Sequence, residues 1–246
     1  MSAGFAAAIA AAGRSGALVP AAAIVPPPTL ADALAAQAEI VLELGAAVAG
    51  WKLGFSPGGV PVPGPMLAGT VLGSGAAWPL PAIGAVLVEV EIAFRLAHDL
   101  PMRSKPYQAA DILAGIGEVL VGIEVLRSRM EESPAPAFNA WLADRLGNAG
   151  YVCGEAAAPF ADLAKLRCRM WVDGALAHDK PGGHPQGDPL APLLAYANAQ
   201  SDGLGGLRAG QVITTGSLTA PLRCERPQLI EAEVEGIGKV ALRLAR

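Results

Sequence analysis

Glu89 and Glu91 stand two residues apart in the run Val86-Leu87-Val88-Glu89-Val90-Glu91-Ile92-Ala93-Phe94. The run is rich in β-branched residues and alternates, so it reads as a strand. Residues two apart on a strand project from the same face, which puts their Cβ atoms about 6–7 Å apart, twice the rise per residue. Glutamate side chains can close that gap on a single ion. Two carboxylates side by side repel, and a divalent cation relieves the repulsion. Oxygen-only donors select a hard ion such as Mg²⁺ or Mn²⁺. The same alternation is also the ordinary solvated face of an antiparallel strand. Glu124 adds weight to the metal reading. It lies in Val121-Gly122-Ile123-Glu124-Val125-Leu126, an apolar setting where a carboxylate is costly unless paired or bound to metal; Arg127 or Arg129 could serve as its partner instead. Lys52, in Gly50-Trp51-Lys52-Leu53-Gly54, is also set among apolar residues. A poorly solvated lysine can have a lowered pKa and move protons near neutrality, or it can pack its stem and extend its amine to water.

These residues need a scaffold. Residues 3–12 read as a helix, a connector carrying Pro26, Pro27 and Pro28 follows, and Thr29 can cap a second helix over 30–44. An apolar run lies at 51–55, then a Gly/Pro loop over 56–65. After the strand at 86–94, a helix is expected over 109–121, with Asp111 near its start, leading to a short strand at 122–126. Residues 131–137 read as an acidic, proline-rich loop. Further strands are expected at 151–153, 166–172, 211–215 and 239–244, and a helix at 188–200 with Asp188 as cap and Pro189 in its first position. Strands and helices mix without strict alternation, which argues for an α+β fold.

Composition bounds the function. The 246 residues are 52% hydrophobic and 16% charged, enough to bury a large core and too apolar for a disordered chain. The few charges cover a monomer's surface thinly, so some apolar surface is expected between subunits of a homo-oligomer. The net charge of −4, with no basic run, argues against a nucleic-acid partner. Cys153, Cys168 and Cys224 are scattered and odd in number, as in a reducing, cytoplasmic setting. The alanine-rich start has its first basic residue, Arg14, after the apolar run and reads as a helix rather than an export signal. Residues 53–88 carry no charge, but Pro57, Pro61, Pro63, Pro65, Pro79 and Pro81 exclude a single membrane helix.

Four segments taken in order carry a resemblance. They are Gly50-Trp51-Lys52-Leu53-Gly54, Glu89-Val90-Glu91-Ile92-Ala93-Phe94, Gly122-Ile123-Glu124-Val125 with Ser128-Arg129, and Thr215-Gly216-Ser217-Leu218-Thr219-Ala220. Their order and spacing are similar to those of 2-keto-4-pentenoate hydratases and 4-oxalocrotonate decarboxylases, both of the fumarylacetoacetase superfamily. The likeness runs from about residue 30 to residue 244. It implies a helical N-terminal segment over 1–50 and a catalytic domain over 51–246, built as a mixed β-sandwich roll with flanking helices. It also implies Glu89, Glu91 and Glu124 as ligands of Mg²⁺ or Mn²⁺, Lys52 as the proton-transfer residue, and a pocket loop of Ser217, Leu218 and Thr219. Arg127 and Arg129 follow Glu124 closely in sequence; strand alternation sets both on the opposite face, and Arg129 reaches an anionic substrate if the strand ends and the chain turns before it. The chain departs from the family at three places. Val62 stands where related hydratases carry an aspartate, Gly147-Asn148 lacks a serine, and Gly187-Asp188-Pro189-Leu190-Ala191 replaces a histidine-bearing segment, with His184 nearby.

The implied substrate is a small 2-oxo or 2-enol acid from the breakdown of aromatic ring-cleavage products. Hydration of a short 2-hydroxy-2,4-dienoate to a 4-hydroxy-2-oxo acid is the leading expectation. Decarboxylation of a 4-oxalocrotonate-type acid and C–C hydrolysis of an acylpyruvate use the same metal-held enolate. A reading of another class is a weakly active subunit that supports a partner enzyme.

Overall fold

A computed structural model of the chain describes residues 4–131, 135–159 and 162–246. Helices α1 (Phe5–Ser15) and α2 (Leu30–Glu43) open the fold. Thr29 caps α2 as expected, its hydroxyl accepting from the Asp32 N–H at 3.2 Å. Then follow β1 (Val48–Phe55), β2 (Pro61–Leu67), β3 (Val71–Gly73), β4 (Ala76–Pro79) and β5 (Val86–Leu96). Next come α3 (Ala109–Gly115), β6 (Ile116–Leu126), α4 (Phe138–Ala143), β7 (Asn148–Ala157), β8 (Arg167–Val172) and β9 (Ala175–Pro181). The chain closes with α5 (Ala191–Ala197), β10 (Val212–Ser217), β11 (Leu222–Cys224), β12 (Gln228–Val234) and β13 (Gly238–Ala245).

Among the described residues the strands form two sheets. One has eight strands, ordered β2-β1-β10-β5-β6-β7-β3 with β11 also on β5; the other has five, ordered β4-β13-β12-β8-β9. Both are mixed: β1 runs parallel to β10, β3 to β7 and β4 to β13, while β5, β6 and β7 are antiparallel. The fold is α+β, as the sequence led us to expect. Its main core lies between the sheets. Val88, Val90 and Ile92 of β5 and Val121, Ile123 and Val125 of β6 meet Ile230, Val234, Val240 and Leu242 of the second sheet, all of them buried. Strand alternation turns Glu89, Glu91 and Glu124 to the other face of the large sheet. There Met66, Ala93, Leu120, Tyr151 and Val212 make a small apolar floor. The helices flank this face: α2 packs against α1 and α4 through Ala33, Ile40, Ala140 and Leu142.

Several boundaries differ from expectation for clear reasons. The proline-rich stretch expected as loop over 56–65 contains a true strand, β2. Pro61, Pro63 and Pro65 fall on alternate residues of a strand with one neighbour, so their missing N–H groups share the unpaired edge. The buried Gln37 side chain donates to the Pro63 carbonyl at 3.0 Å on that edge and to the Leu142 carbonyl at 2.7 Å. The helix expected over 109–121 stops at Gly115, because Ile116 to Leu126 pair along almost all of β5. The helix expected over 188–200 is confined to Ala191–Ala197, with Asp188 instead accepting from the Leu190 N–H in the turn before it, at 2.9 Å. Of the expected loop at 131–137, residues 132–134 lie outside the described residues, as does residue 3 of the first helix. Cys153, Cys168 and Cys224 are unpaired thiols. Among the described residues no helix is long and apolar enough to cross a membrane.

Candidate metal centre

Cross-strand register assembles the site. Glu89 on β5 is paired with Glu124 on β6, which is paired with Tyr151 on β7; the adjacent row holds Glu91 and Gly122. Residues paired across a sheet share a face, so the three carboxylates converge. One oxygen from each lies within 4.8 Å of the others. Glu91 and Glu124 are fully buried and Glu89 is half-buried at the mouth. From β1, Lys52 reaches across the face to Glu124, with Nζ 2.6 Å from Oε2. The partner of Glu124 is therefore Lys52 rather than Arg127 or Arg129. Its other oxygen accepts from the Asn148 side-chain amide at 2.8 Å. The Thr214 hydroxyl donates to Glu91 Oε2.

Three polar atoms here are buried without a hydrogen-bond partner among the described residues: Glu91 Oε1, Asn148 Oδ1 and the Tyr151 hydroxyl. A buried carboxylate oxygen left this way is costly. Three carboxylates against one ammonium also leave an excess of negative charge. Burial pushes the Glu91 carboxyl well above its ordinary range, with the charge of Glu124 adding to it, and Glu89 is raised by burial as well. For Lys52, burial works to lower the amine, but Glu124, Glu91 and Glu89 outweigh it and hold the pKa up. The lowered pKa that poor solvation alone suggests is thus reversed by the carboxylates around it. The all-oxygen donor set, the orphaned oxygen and the surplus negative charge fit a divalent cation held by Glu89, Glu91 and Glu124.

This arrangement gives metal binding a pH dependence. Folding raises the Glu91 carboxyl pKa, so its contribution to stability is greatest below the unfolded value and is lost as pH rises through the folded one. A cation must displace any proton held there. The stabilisation by Mn²⁺ is therefore expected to grow from pH 5.5 to pH 8, by up to about tenfold in affinity per pH unit for one displaced proton. Thermal melts with and without Mn²⁺ across that range check it.

Small neighbours make room for these groups. A Cβ built at Gly122 would lie 2.2 Å from the Tyr151 hydroxyl. Gly122→Ala is expected to displace Tyr151 from beneath Glu91 and weaken cation binding about tenfold or more, with a stability loss of the order of 1–3 kcal/mol typical of overpacking; calorimetry and a thermal melt check both. Gly216 has φ +146° in a bulged part of β10, and a Cβ there would meet Pro185 Cγ at 2.8 Å and His184 Nε2 at 3.0 Å. That bulge sets Ser217 opposite Glu91. Leu218 donates its N–H to the Val90 carbonyl at 2.8 Å, the Val90 N–H reaches the Thr219 hydroxyl at 3.2 Å, and Ser217 donates to the Thr219 carbonyl at 2.7 Å. The loop of Ser217, Leu218 and Thr219 is thereby stitched onto the glutamate-bearing strand.

Arg129 is placed differently from the role suggested for it. Its Nε lies 2.5 Å from Asp144 Oδ1, and its other nitrogens donate to the carbonyls of Arg127, Asp144 and Asn148. A guanidinium so engaged braces the turn before β7. It holds the segment that presents Asn148 to Glu124 instead of facing a substrate. Four site neighbours carried no motif of their own: Thr214, Asn148, Tyr151 and Trp141, whose ring centroid is 5.8 Å from Lys52 Nζ. Asn148 had registered as a missing serine, and only pairing across three strands reveals it as a partner of Glu124. Val62, in the place of an aspartate, packs with Ala33, Leu142 and Leu146 under the helices.

The profile of the fumarylacetoacetate (FAA) hydrolase C-terminal family matches residues 65–245. The chain belongs to that family. It is 28% identical over 179 residues to a 2-keto-4-pentenoate hydratase of Burkholderia vietnamiensis, covering 72% of this chain and 67% of that one. It is 26% identical over 158 residues to a 4-oxalocrotonate decarboxylase of Pseudomonas putida, covering 63% and 59%. The fold superposes on 4-oxalocrotonate decarboxylase from Pseudomonas putida G7, complexed with magnesium and adipate, with a TM-score of 0.80 at 22% identity over 98% of this chain and 96% of the other. This fumarylacetoacetate hydrolase family member thus shares its mixed sheets and flanking helices with a relative crystallised with a divalent ion.

Proposed function

We propose that the protein is a metal-dependent hydratase that adds water to a short 2-hydroxy-2,4-dienoate, giving a 4-hydroxy-2-oxo acid. The observation that carries the proposal is the convergence of Glu89, Glu91 and Glu124 beside Lys52 on one sheet face. Glu89, Glu91 and Glu124 would hold a divalent ion, Mg²⁺ or Mn²⁺, whose charge would supply stabilisation of a developing enolate. Lys52, kept protonated by its carboxylate neighbours, is suited to donate a proton to C5 of the dienol and to recover one from its 2-hydroxyl. The resulting 2-oxo-3-enoate accepts water at C4 and a proton at C3. Tyr151 keeps its phenolic proton, because burial and the charge of Glu91 push its pKa well up, and Ser217 and Thr219 are neutral. These groups can hold a water or hydroxyl without competing for the acid's charge.

One observation favours a second reading, decarboxylation of a dicarboxylic 2-oxo acid. Beyond Glu89 and Glu124 on the same face come Leu87 and Leu126, which line a cavity of about 260 Å³ together with Trp141, Arg127 and Arg223. Arg223 is paired with Glu225 at 2.8 Å. The Arg223 guanidinium in this lining suits a second substrate carboxylate. The test is incubation in oxygen-18 water with Mg²⁺ or Mn²⁺, using a monocarboxylic dienol and, separately, a dicarboxylic 2-oxo-enoate. Label in the C4 hydroxyl of the first product is the expected result. CO₂ from the second, with no hydration of the first, would replace hydratase by decarboxylase.

A further inference from the structure

Away from the glutamates, three arginines surround a second cavity. It measures about 510 Å³ and is lined by Arg127, Arg129 and Arg145, a size usual for small-molecule sites. Val86 of β5 also lines it; by strand alternation Val86 shares the face of Val88 and Val90, opposite that of Glu89 and Glu91. The cavity opens where the end of α1, the residues after α2 and the residues around β4 approach the sheet. Arg127 also borders the smaller cavity of Leu87 and Leu126, so the two cavities adjoin at that residue.

The charge in this cavity is not balanced. Asp144 is the carboxylate in contact with the cluster, and Arg129 already holds it at 2.5 Å. Arg127 donates to the Gly16 carbonyl at 2.9 Å. Arg145 is 5% exposed, and its Nε and Nη1 are buried with no hydrogen-bond partner among the described residues. Burial, then the charge of Arg129, pushes the Arg145 guanidinium down to about 9 against the opposing pull of Asp144, and Arg127 is lowered by burial and Arg129. A guanidinium without partners in such a place is expensive unless an anion joins it. A left-handed turn over Arg145, Leu146 and Gly147, with φ of 58°, 53° and 74°, holds it there. The remaining wall is apolar and includes Leu44, Leu67, Trp78 and Leu80.

We propose that this cavity is a second binding site, for a small organic carboxylate with an apolar body. The carboxylate would pair with Arg145 and Arg127, to which planar bidentate geometry is suited, while an aryl or alkyl portion lies against Trp78 and the leucines. An inorganic phosphate would match the charge but leave the apolar wall unused and its own strong hydration unreplaced.

Isothermal calorimetry on the full chain, freed of divalent metal with EDTA, tests the assignment with phenylacetate, 2-phenylethanol and inorganic phosphate as probes. Phenylacetate is expected to bind in the submillimolar range, at least tenfold more tightly than either of the others. Arg145→Met should weaken it at least tenfold. Arg127→Met gives a second reading should the first variant fail to fold. Glu91→Gln, which alters the metal centre alone, should leave phenylacetate binding unchanged. Equal binding of 2-phenylethanol would reduce the cavity to a simple apolar hole. Tighter binding of phosphate would overturn the ligand class. Absence of phenylacetate binding, its indifference to both arginine variants, or its loss in Glu91→Gln would overturn the site.

Discussion

Glu91→Gln is expected to abolish divalent-cation binding in the millimolar range and to lower turnover by about three orders of magnitude or more, the scale seen when an electrostatic centre of catalysis is removed. The substitution keeps shape and exchanges a buried charge for a neutral amide. Glu91 has one oxygen without a partner, and its negative form is disfavoured by burial and by Glu124. The metal-free variant should therefore be at least as stable as the metal-free parent. A purely structural glutamate behaves the other way: its replacement lowers the melting temperature and leaves cation affinity unchanged. Calorimetric titration with Mn²⁺ and a thermal melt, both on the purified variant, separate these outcomes.

The second large effect is expected at Lys52. Lys52→Met keeps most of the apolar stem and removes the amine. Turnover should fall by about 10²–10⁴-fold, the range of general acid–base catalysis, with a smaller change in KM. Stability should depend on metal. Without a cation, the ammonium 2.6 Å from Glu124 is the charge that offsets three carboxylates, and its loss should cost about 3–5 kcal/mol, as for one partner of a buried pair. With Mn²⁺ bound, most of that loss should disappear. Chemical denaturation of the variant with and without Mn²⁺ measures it. A variant with normal turnover would make Lys52 a packing residue.

Much of the site was legible because a strand has a two-residue period. Glu89 and Glu91 fall on one face by spacing alone, and Glu124 was marked by its apolar neighbours. What spacing could not supply was register. The pairing of Glu89 with Glu124, and of Glu124 with Tyr151, depends on contacts between strands about 25 residues or more apart in sequence. Arg129 shows the same limit. Its proximity to Glu124 in sequence suggested a substrate role, whereas Asp144, fifteen residues on, captures it. In the fold, α2 was legible at its start through Thr29 and α3 through Asp111, whereas α5 begins three residues after the expected cap Asp188. β2 was not legible, because three prolines disguise an edge strand whose alternate residues never needed their N–H groups. β6 was misjudged at its beginning for a related reason: Ile116 to Val121 alternate weakly, and their long pairing with β5 overrides local preference.

The central claim is that Glu89, Glu91 and Glu124 hold one divalent ion. Anomalous diffraction from crystals grown with Mn²⁺ tests it most directly. A single strong peak bounded by these three carboxylates is expected on the face shared with Lys52. No peak there, or Mn²⁺ bound elsewhere with the Lys52–Glu124 pair and the orphaned Glu91 oxygen unaltered, would contradict it.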